Sequence, residues 1–429
     1  MRRSRWMILP LLLLPLGATL AAAQEDKSAE KKAVDWSFSG EIRFRPEYRN
    51  NADLKGALDD DLRQGLMRLR FGVTAVFQED FRLFVQAQDS RAAGEEASTA
   101  SNEENLDLHQ GYLEIRKLGV EGLGLTLGRQ EWKYGDERLI GAFGWSNIGR
   151  SFDGAKIRYA REKVWLDGLF AEISNRVAAP ATGPSTGSEL YGVYFHAAPR
   201  AGTEYEGYYL GFADHAAVAG ETGAAGQTRV DALGGRAKGK AAGFDYLAEA
   251  TLERGEMKGD DLSAHALAAQ AGWTWGSDLK VRAFGGYDYA TGDRDSTDGK
   301  QEEFFNFFPT NHPLYGYEDY FGWRNLKSPY AGASLSRGRH FVQLKGHLFS
   351  LDQAKGRWKD AGGNLMGFDA TGASGTKVGK EIDLLYRYAW KEKAAVEGGL
   401  SRFAPDEFAK KKRGSDASPW GYVQLTVGF

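Results

Sequence analysis

From Trp36 onward the chain breaks into segments of about ten residues in which apolar and polar side chains alternate, and the connections between segments switch between very short and long. Residues 78–80, 117–122, 161–163, 198–202, 239–243, 276–278, 337–339 and 391–393 form the short set. The long, Gly- and Asp-rich set lies at 50–61, 91–105, 132–151, 175–188, 214–228, 254–263, 290–327, 352–377 and 403–419. Nine long connections alternating with eight short ones predict about eighteen antiparallel strands with both chain ends on the short-turn side. The expected fold is all-β: a transmembrane up-and-down barrel with short periplasmic turns and long extracellular loops. A soluble sandwich has no reason to keep that alternation.

The ends of the chain agree. Residues 1–23 carry a basic start (Arg2, Arg3, Arg5), a leucine-rich stretch and a small-residue close at Ala21, Ala22 and Ala23, the three parts of a signal peptide. Residues 24–35 then read as a short periplasmic segment, too short for a plug domain, and 36–429 as the barrel. The last strand alternates through Val423, Leu425 and Val427 to a terminal Phe429, the kind of ending read by the barrel-assembly machinery of Gram-negative bacteria. Beyond residue 23 no apolar run approaches the ~18 residues of a membrane helix. A mean hydropathy of -0.48 still suits a barrel, in which only every second residue faces lipid. Cysteine is absent, which excludes disulfide scaffolds and thiolate metal sites.

Parity assigns the faces. In the first segment Trp36, Phe38, Ile42, Phe44 and Tyr48 share one side, while Glu41, Arg43, Arg45 and Glu47 share the other. An arginine at mid-bilayer costs about 2–4 kcal/mol, so the charged set must face the lumen. The same rule turns Arg68, Arg70, Arg82, Arg116, Lys156, Arg158, Arg236, Arg282 and Lys345 inward, with Glu249, Asp288, Glu381 and Asp383 among the acids. A lumen charged throughout is expected, with cations in excess along the first six strands. For 164–174 and 189–197 both faces are mixed and no register follows. An arginine-lined wall has two readings: interior ion pairs that brace a wide barrel, or an electropositive pore that attracts anions.

Two segments carry a family resemblance. One is Gly128-Arg129-Gln130-Glu131-Trp132-Lys133-Tyr134-Gly135-Asp136-Glu137-Arg138-Leu139-Ile140-Gly141, continuing to Trp145-Ser146-Asn147 and Arg150-Ser151-Phe152-Asp153-Gly154. The other is Phe308-Pro309-Thr310-Asn311-His312, followed by Tyr315-Gly316-Tyr317, Asp319 and Trp323-Arg324-Asn325-Leu326. Together they resemble the alginate-export outer-membrane porin family across essentially the whole barrel. The resemblance implies an eighteen-stranded monomeric barrel and, for the founding members, passage of the anionic polysaccharide alginate through an arginine-rich pore. Alginate-exporting members also carry a long periplasmic turn thought to close the pore, whereas every short-side connection here is a true turn.

Gating is therefore expected from the long loops. Trp132, Tyr134, Phe143 and Trp145 on one and Phe304, Phe305, Phe307, Phe308, Tyr315 and Tyr317 on another would expose a large apolar patch in water, so the two are expected to pack together over or inside the mouth. Asp136, Asp153 and Asp319 could pair with Arg129, Arg138, Arg150 or Arg324 to fix that lid, with Asn147, Asn311 and His312 as further loop anchors. Arg129 falls on the lipid-facing parity, and a bulge near Gly128 is expected to re-aim it inward. Asp293, Asp295 and Asp298 before Gly299 could suit Ca²⁺, although the spacing departs from an EF-hand; no other cofactor is expected. No nucleophile, zinc or nucleotide motif is present. The expectation is a non-enzymatic monomer in the outer membrane of a Gram-negative bacterium, in contact with lipid but not nucleic acid, passing anionic saccharides or small anionic solutes. The alternatives are a structural sleeve around a partner, which should not conduct, and a barrel enzyme, which needs a nucleophile cluster at one rim.

Overall fold

The computed structural model describes residues 34–56, 60–95, 105–174 and 187–429. The expected signal peptide and most of the segment before the barrel lie outside the described residues, as do much of the connections at 91–105 and 175–188. Eighteen strands pair antiparallel in chain order: β1 (Asp35–Arg49), β2 (Leu62–Phe77), β3 (Phe81–Ala92), β4 (Leu106–Ile115), β5 (Leu123–Gln130), β6 (Phe152–Arg161), β7 (Val164–Ser174), β8 (Ser188–Arg200) and β9 (Thr203–Ala219). They continue as β10 (Ala225–Ala241), β11 (Phe244–Met257), β12 (Asp260–Trp275), β13 (Lys280–Ala290), β14 (Leu326–Arg337), β15 (His340–Ser350), β16 (Lys377–Lys391), β17 (Ala394–Pro405) and β18 (Ser418–Gly428). Closure comes from β18 pairing back on β1, from Glu41 opposite Gly428 to Arg49 opposite Trp420. At this seam Gly40 and Phe429 exchange backbone hydrogen bonds of 3.2 and 3.1 Å, and a β-carbon on Gly40 would sit 2.1 Å from the Phe429 ring.

The lipid-facing parity holds. Phe38, Ile42, Phe44, Leu69, Phe71, Leu83 and Val85 are exposed on the outside while Arg43, Arg45, Arg68 and Arg70 are buried on the inside. The registers that parity left open resolve as well. In β7, Val164, Leu166 and Phe170 face out and Asp167, Leu169 and Ala171 face in; in β8, Val193 and Phe195 face out and Leu190 and Tyr194 face in. Their faces looked mixed because both are apolar, one toward lipid and one toward packed protein.

That inner face corrects the expectation of a uniformly charged lumen. Leu169, Ala171, Leu190, Leu210, Val230, Ala232, Ala264, Ala266 and Ala268 line the extracellular half of β7–β12 and form one core with Trp132, Tyr134, Phe304, Phe307 and Trp323 from two connections folded inward. Burying each large side chain contributes roughly 1.5–3 kcal/mol, against roughly 1–2 kcal/mol of entropy for each loop residue ordered. An apolar floor is what lets a long loop stay inside a barrel.

Two connections expected to be loops are mostly strand. Pairing in the β9–β10 hairpin continues to Ala219 opposite Ala225, and β11–β12 turns only at 258–259. Across β10–β11 Asp231 faces Arg254 and Arg229 faces Glu256. Polar side chains rise above the bilayer here without ending the ladder, because opposite charges across strands favour pairing. The 406–417 connection carries one short helix, α1 (Glu407–Lys412), capped by the Asp406 side chain; its Phe408 is buried against Trp358.

Candidate functional site in the lumen

The first wall is built by β1 and β2, with β3 beside them, and the alternation of the first two delivers four arginines to one patch. They meet the segment 144–148 of the inward connection between β5 and β6. Arg43 donates to the carbonyls of Gly144 and Ser146, both at 2.8 Å, and Arg68 donates to the same two at 3.2 and 3.0 Å. Arg45 donates to the Trp145 carbonyl at 2.7 Å and stacks on its ring at 3.7 Å. Arg70 reaches the Ile148 carbonyl at 3.2 Å and the Glu131 carboxylate at 3.1 Å. Asn147 completes the seat, donating to the carbonyls of Met67 and Arg91. With exposures of 2–8%, these four arginines are braces for a loop rather than a bare lining.

The two aromatic connections pack on each other inside the barrel. Phe308 N–H donates to the Leu139 carbonyl at 2.7 Å and Gly141 N–H returns to Phe308 at 2.8 Å. Thr310 Oγ1 donates to Glu137 at 2.6 Å, and Arg150 donates to the carbonyls of Gly141, Phe308 and Pro309. Trp132 stacks on Phe152 at 4.8 Å, and His312 is sandwiched between Trp145 at 3.9 Å and Tyr317 at 5.0 Å, with Nδ1 3.0 Å from Asp319. Asn311 donates to the Ala361 carbonyl at 2.8 Å.

The ion pairs that hold this lid differ from those expected. Arg138 donates to Tyr315 Oη at 2.7 Å and pairs with Asp288 at 3.1 Å and Glu249 at 3.7 Å, pinning both connections to the wall of β11 and β13. Asp136 takes Arg236 at 2.8 Å and Lys238 at 3.4 Å; burial alone would raise its carboxyl, but those cations hold it below the usual range. Tyr134 Oη donates to Asp167 at 2.6 Å. Arg129 and Asp153 do pair, at 2.8 Å, but on the outer face: β5 keeps an unbroken register against β4 and β6, so no bulge turns Arg129 inward. Neither residue lines the lumen.

The periplasmic half of the lumen is more open. Arg82 pairs with Glu114 at 3.3 Å, Arg158 with Asp167 at 2.6 Å and Arg282 with Asp245 at 2.6 Å. Lys345 donates to the Leu314 carbonyl at 3.1 Å, and Arg116 lies exposed on the periplasmic rim. Below the loop residues Pro313 and Leu314 a cavity of about 610 Å³ is lined by Lys238, Lys240, Arg282, Lys345, Gln270 and Gln343, among others.

Several residues escaped sequence reasoning. His109 contacts Glu131 at 2.8 Å; burial alone would raise that carboxyl, but His109, Lys133 and Arg70 hold it at about 2. Ser151 Oγ lies 3.5 Å from His109 Nδ1, an arrangement that invites a hydrolytic reading. Its hydroxyl is instead engaged by the His109 carbonyl at 2.6 Å, which makes the trio a strut. Glu318 accepts from Ser418 at 2.9 Å, its N–H donates to Glu381 at 3.0 Å, and its carbonyl accepts from Arg49 at 2.9 Å. Burial pushes its carboxyl up to about 7, with Arg49 and Ser418 pulling the other way. Nothing local in sequence marks these contacts, since each joins distant strands or loops. Of the three acids that could suit Ca²⁺, Asp295 accepts from Thr297 and Asp298 from Lys300 N–H within their own turns. No cluster of three acidic or histidine side chains suited to a metal occurs among the described residues.

Solved structures share this architecture. OprD, an outer membrane protein of Pseudomonas aeruginosa, superposes with a TM-score of 0.59 at 11% identity, covering 94% of this chain and 96% of its own. OccK3 of the same organism gives 0.60 at 11% identity, covering 92% and 96%, and OccAB2 of Acinetobacter baumannii gives 0.59 at 9%, covering 92% and 98%. At such identities the likeness is one of fold. No curated protein sequence matches the chain. The alginate export family model matches residues 34–422, nearly the whole described barrel, and with the porin-like fold it makes the chain an outer-membrane channel barrel of Gram-negative type. The protein belongs to the alginate export family.

Proposed function

We propose that the channel passes anionic solutes passively, as a monomer, and that uronate-containing, alginate-like saccharides are the class it suits best. One observation carries this reading: in the periplasmic half of the lumen the free charges are positive. Among the described residues the side chains of Lys156, Lys240 and Arg387 make no ion pair or hydrogen bond there, while the strand carboxylates Glu114, Asp167, Glu204 and Asp245 are each taken by a cation and Glu397 accepts from Tyr422. Unpaired cations in a low-dielectric tube attract carboxylates from a distance and offer them hydrogen bonds on arrival. Amide, hydroxyl and aromatic groups beside them (Gln270, Gln343, Thr274, Tyr330) match the hydroxyls and apolar faces of a sugar ring.

Planar-bilayer recording under a salt gradient tests the charge preference, and current block by uronate oligomers against neutral glucose oligomers of equal length tests the substrate class. An anion-selective reversal potential with block by the uronates alone is expected. Cation selectivity, or equal block by both sugars, would defeat the proposal.

A further inference from the structure

Above the membrane, three separate pieces of chain converge at their glycines. The tip of the β9–β10 hairpin (220–224), the β11–β12 turn and the segment 293–301 meet where Gly226 and Gly259 touch backbone to backbone; a β-carbon on Gly226 would lie 2.4 Å from Gly259 Cα. One on Gly299 would lie 3.2 Å from Thr222. Two carboxylates are buried in this junction with no cation paired to either among the described residues. Both carboxylate oxygens of Glu221 and Oδ1 of Asp293 are inaccessible and without a hydrogen-bond partner, and Asp293 as a whole is 3% exposed. Asp260, 6% exposed, borders them and accepts the Glu221 N–H at 2.7 Å.

The charged groups around the pair are acidic as well, Asp260 and Asp298 about Glu221 and Glu303 and Glu302 about Asp293, with the Asp295 backbone N–H as the counterweight outside the pair. The nearby cations are committed elsewhere, Arg294 to Glu302 and Lys359 to Glu303. A buried anion stripped of water persists only if it is paired, protonated or bound to metal.

We propose that Glu221 and Asp293 bind a divalent cation, Ca²⁺ by preference, that ties the three extracellular segments together. All the donors are oxygens, with no histidine or thiolate, which selects a hard cation over zinc or copper. Because only two side chains supply charge, the remaining ligands are backbone carbonyls and water, and the affinity belongs with extracellular sites, on the order of 10⁻⁴ to 10⁻³ M. The ion also anchors the root of the inward connection, since Lys300 and Gln301 run parallel to Asp261 and Leu262 at the start of β12, just before Phe304 enters the lumen.

The full chain, purified in detergent and stripped of metal, is titrated with CaCl₂ and separately with MgCl₂ while thermal unfolding and binding heat are followed. The expected result is a saturable rise in Tm with calcium, at least about tenfold weaker with magnesium, and lost in the double variant Glu221→Gln/Asp293→Asn. That variant should fold at least as stably as the metal-free parent, because the substitutions remove buried charge. Failure of the parent to respond to calcium, or an undiminished response in the double variant, would overturn the proposal. So would stabilisation by acid alone, which would mean that the two carboxyls share a proton instead.

Discussion

The extracellular and periplasmic halves of the lumen both carry inward cations, but in different surroundings. Near the outer mouth Arg43, Arg45, Arg68 and Arg70 spend their guanidinium donors on loop carbonyls and carboxylates, and the opposite wall is apolar and packed against aromatics. Toward the periplasm the side chains of Lys156, Lys240 and Arg387 have no partner among the described residues. Whether an inward cation braces or attracts thus depends on whether a loop carbonyl reaches it. Charge alone does not decide the role, and depth along the barrel does.

The sharpest way to break this contrast is to empty the outer half. Deleting 304–317 should leave a folded, heat-modifiable barrel whose single-channel conductance is several-fold higher and whose size discrimination is weaker; equal conductance would place the constriction among the strands. A smaller effect is expected from Arg43→Ser with Arg68→Ser. Each lost charge-assisted hydrogen bond weakens loop docking by about 1.5–3 kcal/mol, so recordings should show more open-channel noise and a modest rise in conductance. Reversal potential should move less than with the unpartnered cations of the periplasmic half, because Arg43 and Arg68 lie buried under the loop and Arg68 is paired with Glu41. A large shift toward cations would instead mark them as the selectivity element.

Lys156→Ser with Lys240→Ser should do the opposite, moving the reversal potential toward cations at nearly constant conductance. The shift should be greatest at low salt, where screening is weakest. Smaller again is the effect of pH through Glu318. Its folded value of about 7 stands above the ordinary 4.5, so the docked loop keeps a proton that a released loop gives up, and docking weakens as pH rises from about 4.5 to about 7. Loop fluctuations in bilayer recordings should grow over that interval, and Glu318→Gln should flatten the trend. The least change is expected for Arg129→Ala: with the pair 36% and 58% exposed on the outer face, its contribution to stability is about 0–1 kcal/mol and selectivity should stay put.

The strands were legible because lipid penalises every misplaced charge, so parity in segments such as 36–49 has one tolerable solution. The inward course of two loops was legible too, from aromatics such as Phe304 and Trp145 that water would not accommodate. Partner choice was not. Nothing in the spacing of Arg138 says that it meets Asp288 rather than Asp136, because the two ends of that contact are brought together only by barrel closure. The mixed faces at 164–174 have a physical meaning: a strand apolar on both sides is covered on both sides. Gly128 misled in the other direction, since a glycine in a strand does not by itself make a bulge.

The seam between β1 and β18 bears on how the molecule is made. Every other ladder in the wall joins neighbours in sequence and can form as the chain becomes available, but the contact of Gly40 with Phe429 joins nearly the two extremes of the chain. Non-local pairing of this kind is the slowest class to form. Until it does, both terminal strands present unpaired N–H and C=O groups, the template on which chains aggregate. A β-carbon at position 40 would collide with the final aromatic ring, so Gly40→Val should lengthen the lifetime of the open-edged intermediate more than it weakens the finished barrel.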